Sequence, residues 1–261
     1  LHELLHETGS LYVHLDWHVS FYAKAVLDEV FGSDSFLSEI VWRRTNAKGL
    51  AFRGYPNNHD VILYFVRSPT FTWNRPFREH DPEYIKTFYR FADPETGRRY
   101  RLSDLTNPNP DRPNLTYQWK GHKRVWRWTR QRMEEADQRG SIYYSSTGLA
   151  SQKRYLDEME GTPVDSIWDD VLPVQAQASE RLGYPTQKPE ALLERIIKAS
   201  SSEGDLVLDC FSGSGTTAAV AEKLNRRWLA CDLGRFAIHT TRKRLLAIEN
   251  VRAFVVQNLE L

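Results

Sequence analysis

Two aspartates 23 positions apart bracket a glycine-bearing turn: Asp209 in LVLDCFSGSGTTAA (Leu206 to Ala219) and Asp232 at the end of RWLACD (Arg227 to Asp232). Gly213 and Gly215 permit a sharp backbone turn that can approach a ligand closely, and the small residues after them open a helix whose first N–H groups lack partners. An acid at about this distance past such a turn is placed to bind a ribose hydroxyl pair. The chemistry these residues suit is the seating of a nucleotide-type cofactor. Gly213, Gly215 and Ala218 satisfy G-x-G-x-x-G/A, a pattern that many unrelated turns also satisfy. Asp232 also suits the N-cap of the helix that follows at Leu233, a role that does not exclude ribose binding, and Asp209 fits equally as a turn-former bonding loop amides.

The surrounding elements must hold these residues in place. Leu206 to Leu208 read as a short apolar strand before the turn, and a helix from about Thr216 to Asn225 follows it. The strand Arg227 to Asp232 and a helix through about Ile248 come next, and AFVVQNL (Ala253 to Leu259) reads as one more strand. Upstream, GYPTQKP (Gly183 to Pro189) leads into a helix whose Leu192, Leu193, Ile196 and Ile197 form one apolar face.

Earlier in the chain, SLYVHLDW (Ser10 to Trp17) alternates as a strand. Val19, Tyr22, Ala23, Val26, Leu27 and Val30 then recur at helical spacing up to Gly32. FLSEIVW (Phe36 to Trp42) and HDVILYFVR (His59 to Arg67) read as strands joined by a polar, basic loop or hairpin. The opening LHELLHETG reads as the last turns of an amphipathic helix ending at Gly9, so the start of the natural protein is expected to be missing. From Ser68 to about Glu180 periodicity fades into Pro, Asn, Arg and Trp, with Thr129 to Gln138 as the one clear helix. That predicts an inserted, loop-rich domain over 69–180, flanked by segments 1–68 and 181–261 of one α/β fold.

With 261 residues, 41% of them hydrophobic, the chain can bury a substantial core. Cys210 and Cys231 lie in no metal-ligand or disulfide spacing, so no metal site is expected and a reducing, cytoplasmic location fits. No apolar run reaches the length of a membrane span. The net charge of +1 conceals a local excess: Arg98 to Arg132 holds ten Lys/Arg against Asp104 and Asp111. Tyr100, Tyr117, Trp119, Trp126 and Trp128 are threaded through it. Cations neutralise phosphates and rings stack on bases, so the mixture suits nucleic acid; a solvated surface over structural tryptophans is the competing reading. Lys123, Arg124 and Arg127, with Arg43, Arg44, Asn46, Lys48 and Arg53 in the earlier loop, are the candidate DNA contacts. Asp16 and His18 at the end of the first strand are explained as well by a helix cap and a polar turn, and they are given no acid-base role.

GYPTQKPEALLERIIKASSSEGDLVLDCFSGSGTTAAVAEKLNRRWLACDL resembles the cofactor half of amino-group DNA methyltransferases, the S-adenosylmethionine enzymes that modify adenine N6 or cytosine N4. TQKP, the LD-x-F-x-G-x-G-T-T turn and a strand ending in Asp are together far more restrictive than the glycines alone. FGSDSFLSEIVWRR and NNHDVILYF resemble segments that follow the catalytic motif in the family's beta-class order, which runs catalytic motif, target-recognition region, cofactor segment. The resemblance covers about two thirds of the chain and implies a doubly wound, Rossmann-like sheet with double-stranded DNA as substrate. It implies further that Asp209, Phe211, Gly213, Gly215 and Thr216 cradle S-adenosylmethionine, that Asp232 binds its ribose, and that Thr186, Gln187 and Lys188 lie beside its methionine end. A lysine there can pair with the cofactor carboxylate.

The chain departs from the family in two places. Cys210 stands where proline is common, and no Pro-Pro pair occurs, although the family's catalytic signature is Asp, Asn or Ser followed by Pro-Pro and an aromatic residue. The motif and one sheet strand are therefore expected upstream of Leu1, no residue here is assigned as catalytic, and this chain alone is expected to be inactive. Two other classes stay open: a non-catalytic nucleic-acid-binding module, and a dinucleotide-dependent oxidoreductase, against which TQKP and the Arg/Trp-rich insertion argue. Sequence leaves open a second copy of the chain and a restriction subunit as partners.

Overall fold

The computed structural model describes residues 1–46 and 54–258, which divide into two compact units, Leu1–Pro76 with Pro163–Leu261, and Phe77–Thr162. In the first unit β1 (Ser10–Asp16), α1 (Ser20–Phe31), β2 (Phe36–Arg43) and β3 (His59–Val66) follow the periods read from the sequence. β3 pairs antiparallel with both β1 and β2. Because side chains alternate across a strand, Val61, Leu63 and Phe65 face one side with Leu11, Val13 and Leu15, under Ala23, Leu27 and Phe31 of α1. Ile62, Tyr64 and Val66 face the other with Tyr12, Ile40 and Trp42. Val19, Tyr22, Val26 and Val30 share the apolar period of α1 but are exposed. The opening residues close a single turn, His2–Leu4, with Leu4 and Leu5 N–H donating to the Leu1 carbonyl, and the chain is already extended at Leu5, so the helix expected to run to Gly9 stops there.

The second unit is more regular than a loop-rich insertion. It runs β4 (Phe77–Arg78), α2 (Pro82–Phe88), β5 (Phe91–Ala92), β6 (Arg99–Asp104), β7 (Thr116–Trp119), β8 (His122–Val125), α3 (Arg130–Gln138), β9 (Ile142–Tyr144) and β10 (Ala150–Tyr155), and ends at Thr162, the first residue of β11 (Thr162–Pro163). β5, β6, β10 and β9 form an antiparallel sheet in that order, and β7 and β8 a hairpin. Strands of two to six residues show too little alternation to be read from sequence. The core here is Leu105, Trp119, Trp126, Met133, Ala136, Ile142 and Ala150. Trp126 is fully buried, its indole N–H donating to the Tyr117 carbonyl at 3.0 Å.

Returning to the first unit, β12 (Ile167–Trp168) adds parallel to β2, giving the order β1-β3-β2-β12. α4 (Glu190–Ser200), β13 (Leu206–Asp209), α5 (Thr216–Lys223), β14 (Arg227–Ala230) and α6 (Arg235–Leu246) follow, with β13 and β14 parallel. This is a Rossmann-like α/β arrangement, though the described strands form two sheets and not one continuous one. β1 and β13 each pair with a single strand among the described residues. α4 ties the sheets together: Leu192, Leu193 and Ile196 pack on the first, while Ile197 packs with Val207 and Trp228 of the second and with Val220 and Ala221 of α5. The Tyr12 hydroxyl on β1 lies 2.6 Å from Ser200 Oγ at the end of α4.

The strand expected at Ala253 to Leu259 is not formed over residues 253–258, and Leu259 lies outside the described residues. Side chains, not a ladder, hold this segment. Phe254 packs on Trp228 at 5.6 Å between ring centroids, and Arg252 Nη2 donates to Glu222 Oε2 at 2.8 Å. No helix among the described residues is long and apolar enough to cross a membrane.

Glu222 is buried in α5 and also accepts from the Trp228 indole at 2.9 Å. Hydrogen bonds from Arg252 pull its carboxyl down to about 2, against burial that would raise it. A depressed carboxyl stabilises the fold fully above its ordinary value of 4.5 and loses that contribution as pH falls toward about 2. Glu222→Gln is therefore expected to be less stable than the parent at neutral pH, with the gap closing in acid; urea midpoints across that range measure it.

Candidate functional site

The turn after β13 depends on its two glycines. Gly213 and Gly215 have φ of 51° and 71°. A Cβ on Gly215 would lie 2.6 Å from Thr241 Oγ1 on α6, so both the backbone angle and the space exclude a side chain. The β13–β14 ladder continues into the turn: Cys231 N–H donates to the Asp209 carbonyl at 2.8 Å, and Ser212 N–H to the Cys231 carbonyl at 3.0 Å. Asp209 is the turn-former, its Oδ1 accepting from Phe211 N–H at 3.0 Å. Asp232 binds two loops at once, Oδ2 accepting from Gly213 N–H and Oδ1 from Gly234 N–H, each at 2.8 Å. It does not cap α6, whose N-cap is Gly234.

Behind the turn lies a buried arginine that neither motif nor spacing singled out. Arg244, 6% exposed on α6, donates to Thr216 Oγ1 and to Glu190 Oε1, both at 2.8 Å. Thr216 in turn donates to the Lys188 carbonyl at 3.2 Å. The glycine turn, the first residue of α4 and α6 are thereby locked together. Burial raises the Glu190 carboxyl, but hydrogen bonds from Lys223 and Arg244 outweigh it and hold Glu190 below its usual range.

The TQKP residues separate into different roles. Gln187 is committed to its own loop, donating to the Glu180 carbonyl at 2.7 Å and accepting from Leu182 N–H at 2.9 Å. Thr186 holds a left-handed φ of 61° and is exposed. Lys188 is partly buried beside Asp60, Arg44 and His14, and that burial lowers its ammonium pKa. Near the turn, Tyr184 and Phe236 stack with ring planes 8° apart, and a Cβ on Gly213 would meet the Tyr184 ring at 3.5 Å. Phe211, Leu233 and Phe236 are 86%, 97% and 63% exposed, three apolar side chains on segments joined through Asp232.

Of the candidate DNA contacts, Arg43 and Arg44 are engaged in the first unit, Arg43 Nη2 with Asp169 at 3.6 Å and Arg44 Nε with Asp60 at 3.1 Å. Asn46 is exposed, and Lys48 and Arg53 lie outside the described residues. In the second unit Lys123, Arg124 and Arg127 are exposed, the first two on the β7–β8 hairpin. The aromatic residues between them do not form a stacking platform. Trp119 and Trp126 are core, Tyr100 is buried, and Tyr117 and Trp128 pack against that core.

A parallel strand pair with a glycine turn, an acid at the end of the second strand and apolar side chains around it defines a Rossmann-like, nucleotide-type cofactor protein. Residues 1–243 match the family model described as DNA methylase, and the chain belongs to that family. It is 30% identical over 248 residues to the Type II methyltransferase M.EcaI of Enterobacter cloacae, a match that takes in 94% of this chain and 54% of that protein. To the Type II methyltransferase M1.MboII of Moraxella bovis it is 28% identical over 88% of this chain and 69% of that protein. The chain thus spans about half to two thirds of these relatives. The crystal structure of an M1.HpyAVI-SAM complex shares the fold, with a TM-score of 0.50 and 18% identity over 94% of this chain and 78% of that one.

The site's geometry makes stability predictions. Gly215→Ala is expected to cost about 2 kcal/mol through overpacking against Thr241 and an unfavourable φ. Arg244→Met leaves Glu190 with Lys223 as its remaining cation and is expected to cost about 3 kcal/mol. Denaturant unfolding of the purified variants measures both.

Proposed function

We propose that this chain forms the cofactor-binding and DNA-engaging part of an amino-group DNA methyltransferase, acting on the exocyclic nitrogen of adenine or cytosine in duplex DNA. The observation that carries this reading is the family match over residues 1–243, which takes in the entire glycine turn and Asp232. Membership of the DNA methylase family removes the oxidoreductase alternative.

The residues present suit S-adenosylmethionine. Gly213 and Gly215 give the sharp turn that brings backbone to a ligand, with Asp209 and Phe211 on the turn and Thr216 holding it from behind. Each Asp232 oxygen has given one lone pair to a backbone amide, and a carboxylate has about four acceptor positions. Two remain for ribose hydroxyls. Phe211, Leu233 and Phe236 offer apolar surface for a purine ring, and Lys188 a cation for the methionine carboxylate, with Thr186 beside it. When bound, the cofactor supplies a sulfonium methyl as the electrophile. The protein's part is to hold that end against an amine whose lone pair is delocalised into the base, so that positioning carries much of the rate. No Pro-Pro pair occurs in the 261 residues, and no residue among them is assigned to orient the amine.

The proposed roles of the two units differ. Residues 69–180, which contain the second unit, are the proposed target-recognition region, with Lys123, Arg124 and Arg127 on phosphates. Burial of the tryptophans supports phosphate contact by cations over base stacking in this region. Asn46 and the loop around it are proposed to meet the DNA strand from the first unit. The cytoplasm is the proposed location, in keeping with two free cysteines.

Calorimetry with S-adenosylmethionine tests the cofactor reading: the parent is expected to bind, and Asp232→Ala to bind at least about tenfold more weakly, since it loses both the turn's anchor and the ribose acceptor. Equal binding by the variant removes Asp232 from the site. Replacing Arg124 and Arg127 together by Ala is expected to lower duplex affinity and reduce the log–log salt slope by about 2, one phosphate contact each. An unchanged slope removes the hairpin from the DNA interface, and DNA binding with no cofactor affinity favours the non-catalytic module.

A further inference from the structure

The chain's two cysteines have no part in the assignments above, and the fold brings them side by side. β13 and β14 pair parallel with Asp209 opposite Ala230, and the ladder runs one residue further, since Cys231 N–H donates to the Asp209 carbonyl at 2.8 Å. That bond sets Cys210 next to Cys231 across the pair. Parallel neighbours stand about 4.7–4.9 Å apart, within the roughly 4.4–6.8 Å between Cα atoms that a disulfide spans.

Alternation puts both side chains on one face. Val207 and Trp228, partners in register, pack with Ile197, Val220 and Ala221. Leu208 with Leu229, and after them Cys210 with Cys231, therefore turn to the opposite face. That face is open, Leu229 being 53% exposed. Both thiols are free, Cys231 exposed and Cys210 half-buried. Burial pushes the Cys210 thiol up, and a charge on Cys231 or Asp209 pushes it further. Cys231 is thus the sulfur that an oxidant meets first, with Cys210 beside it as a thiol.

We propose that Cys210 and Cys231 form a redox-modification site whose reagent is hydrogen peroxide and whose product is an internal disulfide across the two strand ends. The Cys231 thiolate attacks one peroxide oxygen: an S–O bond forms, the O–O bond breaks and hydroxide leaves. The Cys210 sulfur, giving its proton to solvent, then attacks the sulfenic sulfur; an S–S bond forms and the S–O bond breaks with loss of a second hydroxide. The two thiol protons neutralise the two hydroxides. One peroxide thereby takes two electrons, and two thiols become one disulfide and two waters. In a reducing compartment such a bond is transient, which suits a sensor and not a structural link.

The bond acts on the turn through Asp232, the residue after Cys231. A disulfide holds its Cβ atoms about 3.8 Å apart, about 1 Å closer than side-by-side parallel neighbours. Asp232 reaches the Gly213 and Gly234 N–H groups at 2.8 Å each from the strand end that this contraction moves, and Phe211 follows Cys210 directly. Cofactor affinity is therefore expected to fall in the disulfide form, a consequence that rests on the reading that S-adenosylmethionine binds at the turn.

The test treats the reduced chain with hydrogen peroxide, quenches with catalase, alkylates with N-ethylmaleimide and weighs the intact protein. The expected product is a monomer lighter by two hydrogens with neither thiol alkylated, and trypsin is expected to release two peptides joined through Cys210 and Cys231. Dithiothreitol is expected to restore both thiols. Cys210→Ser is expected to stop at the Cys231 sulfenic acid, which dimedone traps, and Cys231→Ser to react more slowly than the parent. By calorimetry the oxidised parent is expected to bind S-adenosylmethionine about tenfold more weakly than the reduced parent, with dithiothreitol recovering the loss. The double variant Cys210→Ser with Cys231→Ser, treated alike, is expected to keep the affinity of the reduced parent; it controls for oxidation of the exposed Met159.

Unmodified thiols, disulfide-linked dimers, or sulfenic and sulfinic adducts without an internal bond overturn the site. An internal disulfide with unchanged affinity overturns its coupling to the turn. Absence of binding by the reduced parent overturns the cofactor reading instead, and the mass result still decides the modification site.

Discussion

The guanidinium of Arg244 is the constraint on which the glycine turn depends. Planar and permanently charged, it reaches Thr216 behind the glycine turn and Glu190 at the start of α4 from a single position on α6. None of these segments is long, and the turn itself has little apolar surface to bury. A desolvated ion pair is a poor source of net stability, but it tolerates only one arrangement of its partners. The other side of the turn is held in a similar way by Asp232, which draws the Gly213 and Gly234 amides to one carboxylate. The exposed backbone of the turn is thus fixed from behind by a cation and from the side by an anion, and its front stays open.

The first sheet shows how an apolar core grades into a buried polar cluster. Along β1 and β3 the inner face begins as a dry layer of Tyr12, Ile62, Tyr64 and Val66 packed on α4, then changes to His14 and Asp60. A buried carboxylate is tolerated there because both of its oxygens are satisfied and two cations stand near it. The same helix, α4, covers the apolar layer and delivers Lys188 from the loop just before its first turn. Packing and charge placement are therefore set by one element.

In the second unit composition was informative and ambiguous in equal measure. Arginine and tryptophan together fit a nucleic-acid surface or a small aromatic core with a basic coat, and both halves of the mixture were visible in the chain. The structure separates them: Trp119 and Trp126 go inward with Met133 and Ile142, while Lys123, Arg124 and Arg127 go outward. Strand lengths of two to six residues explain why its antiparallel sheet escaped a reading based on periodicity.

The sequence by itself determined β1, α1, β2, β3, α4 and the β13-turn-α5-β14-α6 run, because long apolar periods, alternation and glycines at a turn are local signals. It determined the family too, through TQKP, the LD-x-F-x-G-x-G-T-T turn and Asp232 taken together. Tertiary structure alone decided which side of α1 is buried, that Gln187 braces its own loop, that residues 253–258 form no strand, and that Arg244 and Asp60 are buried. Each of those depends on partners distant in the chain or on competition between neighbours. Thr216 and Arg244 lie 28 residues apart, His14 and Asp60 46, and a buried polar group is recognised only by what surrounds it.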